Sequence, residues 1–331
     1  MRKLVSTLVV AAISLTALSG CAANDATAGE FAGLSATCKS YTPGTTADQI
    51  KLTDSSSKKP VVEFPTPLAG SQVQTAILVE GKGPKFLGDQ LVDLDFIGIN
   101  AGTGKEFQAS GFDGVNFASQ FIGAGGDPNF CDAIGGVPQG STVAIYYPAK
   151  VVHNNEGIAS INVGKNDGIV FVFKLIKYYL PKANGAAGGV KDGFPQVAVA
   201  PNGTPGLVLN DWSKPAFTEF AKETTIVGSG EAVQLNDKVT VHYSGWIWSD
   251  TKSKFDSSWD KQVPVQFQLS HNQLIEGFIK ALRGETVGSQ VVAVIPPIDG
   301  YGSTDQGSIP ANSTLIFVVD ILGTEHTADS K

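Results

Sequence analysis

Strict alternation of polar and apolar residues marks the plainest elements of the chain. Lys238–Tyr243 alternates in this way, and so does Val265-Gln-Phe-Gln-Leu269. Period two is the pattern of a strand with one face against a core. Gln290–Ile295 and Thr314–Leu322 are dense in Val and Ile and read as further strands. A second period interrupts them. Within Asn272–Leu282, Ile275, Phe278, Ile279 and Leu282 recur at spacings of three and four, which places them on one helical face. Gly284 follows where such a helix would stop. The pattern predicts an antiparallel sheet covered by one short helix, an α+β arrangement.

The same succession occurs twice. Ala76–Gly83 matches Thr224–Gly230 in character, and Leu91–Gly98 matches Lys238–Gly245. Lys105-Glu-Phe107 matches Ser253-Lys-Phe255, Gln139-Gly-Ser141 matches Val287-Gly-Ser289, and Ile169–Phe173 matches Leu315–Val319. Order is kept at a near-constant offset, the mark of an internal duplication. The expected division is a first domain at 73–180 and a second at 218–325. Residues 21–72, rich in small and polar side chains from Ala22 to Pro60, read as a tether. Residues 181–217, with Asn184-Gly-Ala-Ala-Gly-Gly189, read as a linker, and 326–331 as a tail.

Residues 1–20 are set apart by composition. Arg2 and Lys3 precede the apolar run Leu4–Leu18, which is short for a membrane span and fits a signal peptide. Leu18-Ser-Gly-Cys21 resembles the bacterial lipobox. That resemblance implies cleavage before Cys21 and lipid on its thiol, hence a chain outside the cytoplasm, anchored to the cell membrane at the envelope. Two cysteines then remain. An exported chain is expected to join Cys38 to Cys131 in a disulfide; the alternative is two free thiols, with Cys131 a small buried apolar group.

Charge and motifs narrow the chemistry. The net charge is −7 and no basic cluster follows the N-terminus, which argues against a nucleic-acid partner. His153, His242, His271 and His326 lack metal-ligand spacing, and two cysteines cannot supply a four-ligand zinc site. Gly102-Thr-Gly-Lys105 continues with Glu106 and reads as a hairpin turn rather than a phosphate loop. No Gly-x-Ser-x-Gly elbow occurs. What is left is a set of aromatic and aliphatic side chains around one carboxylate.

Those residues carry a family resemblance. Val241-His-Tyr-Ser-Gly245, Phe255-Asp-Ser-Ser258, Leu274-Ile-Glu-Gly-Phe278, Tyr301-Gly302 and Ile309-Pro310 through Phe317 resemble, in order and spacing, the FKBP-type peptidyl-prolyl isomerases. The duplicated, lipid-anchored layout resembles the tandem FKBP lipoproteins of actinobacteria. The resemblance implies two FKBP-like domains, each a curved antiparallel sheet wrapped on one short helix. It implies a cleft in the second, with Tyr243, Phe255, Asp256, Ile275, Phe278, Tyr301 and Phe317 as catalytic residues and Val265, Leu274 and Ile309 as further substrate contacts. Val265 stands where the family often has phenylalanine, and Phe278 where many members have tryptophan. The implied ligands are proline-containing polypeptides and macrolide FKBP ligands, with no cofactor and no metal. Contact with a membrane would come through the lipid anchor alone.

The first copy departs from the pattern. Phe96, Phe107, Phe130 and Phe171 match Tyr243, Phe255, Phe278 and Phe317, but Gln108 replaces the aspartate and Val152 falls near the place of Tyr301. A weakly active or inactive first domain is expected. The competing expectation for the whole chain is a non-catalytic, polypeptide-binding chaperone module at the cell envelope.

Overall fold

The computed structural model describes residues 37–54, 58–123, 126–189, 193–208 and 216–327. The signal segment and Cys21 lie outside the described residues. A single 3-10 turn at Ala47–Gln49 leads into a small antiparallel hairpin, β1 (Lys51–Asp54) and β2 (Val61–Glu63). A larger sheet follows, from β3 (Gln74–Val79), β4 (Gln90–Asn100), β5 (Glu106–Ala109), β6 (Ala118–Ile122), β7 (Thr142–Tyr147) and β8 (Ile169–Tyr178). Its order is β3-β7-β8-β4-β5, with β6 also paired to β4. Helix α1 (Pro128–Ile134) precedes β7, and a short helix α2 (Ala149–His153) follows it.

The second half repeats this plan. After a two-residue strand β9 (Ala186–Ala187) comes a hairpin, β10 (Val197–Val199) and β11 (Pro205–Leu207). The sheet is then β12 (Ala221–Val227), β13 (Lys238–Ile247), β14 (Asp250–Ser257), β15 (Val265–Gln268), β16 (Gln290–Ile295) and β17 (Leu315–Glu325), with helix α3 (Glu276–Leu282) before β16. Its order is β14-β13-β17-β16-β12-β9, with β15 paired to β13. Apart from the added edge strand β9 this is the first sheet again, so the duplication seen in the sequence is a duplication of topology.

Both sheets are buried on both faces, which corrects the expected tether and linker. Alternate residues of β17 divide between two cores. Leu315, Phe317, Val319 and Ile321 meet Ile279 and Leu282 of α3 on the inner face. Ile316 and Val318 point outward against Phe194, Val197, Leu207 and Phe217. In the first copy Ile97 and Ile99 of β4 point outward against Ile50 and Leu68. Each buried aliphatic contributes about 1.5–3 kcal/mol, enough to hold a polar-rich segment in place. Ile50, Val62, Phe64 and Leu68 therefore belong to an outer cover of the first sheet, and 193–208 with Phe217 cover the second. Each unit begins with its own covering hairpin.

Three further points concern the elements. Cys38 and Cys131 form a disulfide across a sequence separation of 93, and Lys39 N–H donates to Asp132 Oδ1 at 2.8 Å beside it. Helix α3 starts at Glu276 rather than at Asn272 as the periodicity predicts. Gln273 and Leu274 N–H both bond the Ser270 carbonyl in a turn, and Ile275 is still extended at φ −65°, ψ 148°. The expected tail also begins inside the fold, since His326 Nδ1 lies 3.0 Å from Asp237 Oδ1.

The two units abut through Tyr179, which is 1% exposed and packs with Leu91 and Leu322. Its hydroxyl lies between the carboxyl groups of Asp93, whose Oδ2 is at 2.8 Å, and Glu325, within hydrogen-bond distance of both. Leu180 N–H bonds the Leu322 carbonyl at 3.1 Å, and Lys177 Nζ bonds the Thr324 carbonyl at 3.0 Å. A Cβ on Gly323 would lie 2.5 Å from the Tyr179 ring, so glycine there lets the strand approach it.

Candidate functional site

The cleft of the second unit opens between α3 and the inner face of its sheet, with a volume of about 610 Å³. Strand alternation builds its floor. Tyr243 on β13 and Phe317 on β17 share the inner face, and Phe278 rises from α3 to meet them. The ring centroids of Phe278 and Phe317 are 5.1 Å apart at an interplanar angle of 81°, and Phe255 meets Phe317 at 5.5 Å and 83°. These edge-to-face contacts fix the rings. Phe255 reaches the floor because Gly245 lies beneath it, where a Cβ would stand 2.4 Å from its Cζ.

Polar groups sit on one side of this apolar hollow. The Tyr243 hydroxyl donates to Asp256 Oδ2. Asp256 Oδ1 accepts from Lys261 Nζ at 3.0 Å and Ser257 N–H at 2.9 Å. Partial burial raises the Asp256 pKa, but the Tyr243 phenol and the Lys261 ammonium outweigh it and hold the carboxyl below its ordinary value. Burial, and then the neighbouring carboxylate, push the Tyr243 phenol well up. Tyr301 is raised by burial and by the charge of Asp256. Among the described residues its hydroxyl has no hydrogen-bond partner, and the Ile275 N–H donates to none. The site thus holds one ionised acceptor already engaged, and two donors with nothing to bond.

Nine of the ten expected residues meet in this cleft: Tyr243, Phe255, Asp256, Val265, Leu274, Ile275, Phe278, Tyr301 and Phe317. Ile309 does not. It bridges back to Gln306 in a tight turn, which carries its side chain into the core at 5% exposure. Gln306 takes the place on the wall, and Phe267 and His271 also line it. Phe267 was legible as the inward neighbour of Val265 in the alternating strand. His271, paired with Glu276 at 2.8 Å, and Gln306 sit on loops that periodicity does not orient.

The first copy has a hollow of about 510 Å³ in the same place. Phe96, Phe130, Phe171 and Val152 line it. Phe107 stands behind, edge-on to Phe171 at 6.2 Å, and neither it nor Gln108 reaches the wall. Tyr147, Phe173, Asp127 and Asn129 line it instead. Among the described residues no cluster of His, Cys, Asp and Glu is arranged to hold a metal ion, and no helix is long and apolar enough to cross a membrane.

Comparison with known proteins places the second unit. A family model described as FKBP-type peptidyl-prolyl cis-trans isomerase matches residues 229–322. The chain is 40% identical over 102 residues to FK506-binding protein 2 of Podospora anserina, covering 31% of this chain and 55% of that protein. It is 36% identical over 103 residues to FK506-binding protein 1 of Aspergillus oryzae, covering 29% of this chain and 89% of that one. It is 38% identical over 97 residues to an FK506-binding protein of Streptomyces anulatus, covering 29% and 77%. The chain spans about half the length of the FK506-binding protein 2 relatives it matches.

Proposed function

We propose that this chain, which belongs to the FKBP-type peptidyl-prolyl cis-trans isomerase family, isomerises Xaa-Pro bonds of exported polypeptides in the cleft of its second unit. The observation that carries the reading is the pairing of a rigid aromatic floor with two unengaged donors on one side. Rotation about an Xaa-Pro bond breaks amide resonance against a barrier of roughly 18–20 kcal/mol. The twisted amide carries less charge separation than the planar one, so a dry apolar cleft favours it relative to water. Phe255, Phe278 and Phe317 grip the proline ring. The Tyr301 hydroxyl and Ile275 N–H hold the flanking peptide in a turn, which directs binding energy to the twisted form.

Asp256 has a different part. An ionised carboxylate accepts and does not donate, so it is no partner for a substrate carbonyl. It fixes the Tyr243 ring against Phe278 and Phe317 and shapes the polar side of the cleft. No proton moves in the reaction. FK506-like macrolides fit the same hollow as competitive ligands. The first unit, without counterparts of Asp256 and Tyr301 on its wall, is the weak or inactive copy.

Export and lipid anchoring at Cys21 complete the proposal. The Cys38–Cys131 disulfide supports it, because such bonds persist in oxidising compartments. The test is a proline-limited refolding assay on the full chain. Tyr301→Phe is expected to lower kcat/KM about tenfold, the loss of one hydrogen bond of about 1.4 kcal/mol, and Asp256→Ala, which releases the Tyr243 ring, is expected to lower it by a similar factor. A chain that does not accelerate refolding, or variants that match it, overturn the reading.

A further inference from the structure

The hollow of the first unit contains an unexplained polar group. Tyr147, the last residue of β7, is 5% exposed and lines the cavity. Among the described residues its hydroxyl has no hydrogen-bond partner. The other buried tyrosines of this unit are all engaged: Tyr146 donates to the Gly70 carbonyl, Tyr178 to the Val137 carbonyl, and the Tyr179 hydroxyl sits between the Asp93 and Glu325 carboxyl groups. The hydroxyl is not sealed from solvent and faces the open cavity as a free donor. In the second unit the matching strand end is Ile295, paired to Leu315 as Tyr147 is to Ile169. The tyrosine is therefore a feature of this copy and not a requirement of the strand.

We propose that this cavity binds an extended polypeptide segment, taking one bulky apolar side chain among Phe96, Phe130, Phe171 and Phe173 and giving the Tyr147 hydroxyl to a neighbouring backbone carbonyl. The chemistry of the walls selects that ligand. Phe130 and Phe173 are 4.8 Å apart and Phe171 and Phe173 5.6 Å apart, a continuous aromatic surface. Burial, then the charge of Asp127, push the Tyr147 phenol far up, so it stays a neutral donor. Asp127 itself, on the same wall, repels anionic acceptors such as a fatty-acid carboxylate. A neutral carbonyl beside an apolar group satisfies both conditions, and a polypeptide offers that pair at every large apolar residue. Proline is not required, since the wall has no counterpart of the Tyr301 hydroxyl to hold a turn. The site retains chain without turning it over. Its reading does not depend on catalysis in the second unit.

The probe is the proline-free peptide acetyl-Ala-Ala-Leu-Phe-Ala-Ala-amide, titrated into the full chain with ring-labelled tyrosine and phenylalanine and followed by NMR. The expected result is a shift of the Tyr147 and Phe130 ring resonances on binding. Tyr147→Phe, which keeps the ring, is expected to weaken binding at this site about tenfold and to leave the refolding rate constant of the second unit unchanged. Val151→Glu, at the exposed mouth of the cavity, is expected to abolish the shifts and tests the site by a surface residue, should Tyr147→Phe disturb the fold. Unmoved Tyr147 and Phe130 resonances, wild-type affinity in Tyr147→Phe, or shifts produced by cyclohexanone but not by the peptide would each overturn the proposal.

Discussion

Reduction of the Cys38–Cys131 bond tests how the first unit is held together. The bond closes a loop with a sequence separation of 93. The loop-entropy relation for a closure of that length gives on the order of 4–5 kcal/mol at 25 °C. Both cysteines are 5% exposed within the first core, and Cys131 lies on α1 beside Phe130. Two probes separate the halves of the molecule. Trp212, Trp246, Trp248 and Trp259 all belong to the second half, whereas five of the seven tyrosines, Tyr41, Tyr146, Tyr147, Tyr178 and Tyr179, belong to the first. In guanidinium unfolding, dithiothreitol or the double variant Cys38→Ser/Cys131→Ser is expected to lower the tyrosine-absorbance midpoint by about 1 M. The tryptophan-fluorescence midpoint should move less. Apolar-peptide binding by the first cavity should fall with it, because α1 carries part of the cavity wall. A tyrosine transition that does not move on reduction refutes the loop-entropy reasoning.

Further outcomes follow from particular contacts. Burial lowers the pKa of His242 to about 3 and raises that of Asp320 to about 6, and the two residues are cross-strand neighbours. The histidine's contribution is complete above pH ~6.5 and is lost as pH falls toward 3, whereas the aspartate's is complete below pH ~4 and is lost as pH rises through 6. Between pH 6 and 4 the slopes oppose, so Asp320→Asn should uncover an acid-induced loss of about 1.4 kcal/mol per pH unit by chemical denaturation; an unchanged profile would count against the assignment. Gly245→Ala should drive the Phe255 ring off the floor and cut the isomerisation rate constant more than tenfold, a small-to-large overpacking cost of about 1–3 kcal/mol. Gly98→Ala, the same change against Phe107 in the first unit, should leave that rate as it is. Tyr179→Ala should cost about 3–5 kcal/mol and split a shared unfolding transition in two, seen as separated tyrosine and tryptophan midpoints.

Much of the fold was legible because its information is local. Alternation along Lys238–Tyr243 and Val265–Leu269 orients side chains without knowledge of any partner. The aromatic floor was legible because each of its residues sits at a fixed place in a motif that the family resemblance supplies. The covering segments were not. Ile50, Leu68, Phe194 and Phe217 are isolated apolar residues in polar surroundings, and hairpins of three or four residues are too short to show a period. The clue lay in the sheet instead: Leu315–Leu322 is nearly continuous in apolar residues, which a strand with one solvated face has no reason to be. Tyr147 escaped for another reason. A tyrosine ending an apolar strand looks like core, and only the absence of a partner for its oxygen sets it apart.

The covering hairpins alter where the second unit can be said to begin. The stretch that matches the family starts at residue 229, yet the apolar side chains that shield Ile316 and Val318 lie upstream, in Phe194, Val197 and Leu207. A fragment cut at the edge of the match would carry every residue of the cleft and still present a bare aliphatic sheet face to water. Such a face favours self-association over solubility. The smallest piece able to stand alone is therefore set by what shields the back of the sheet. It reaches upstream at least to Ala183, whose N–H is held by the Asp320 carboxylate at 2.8 Å.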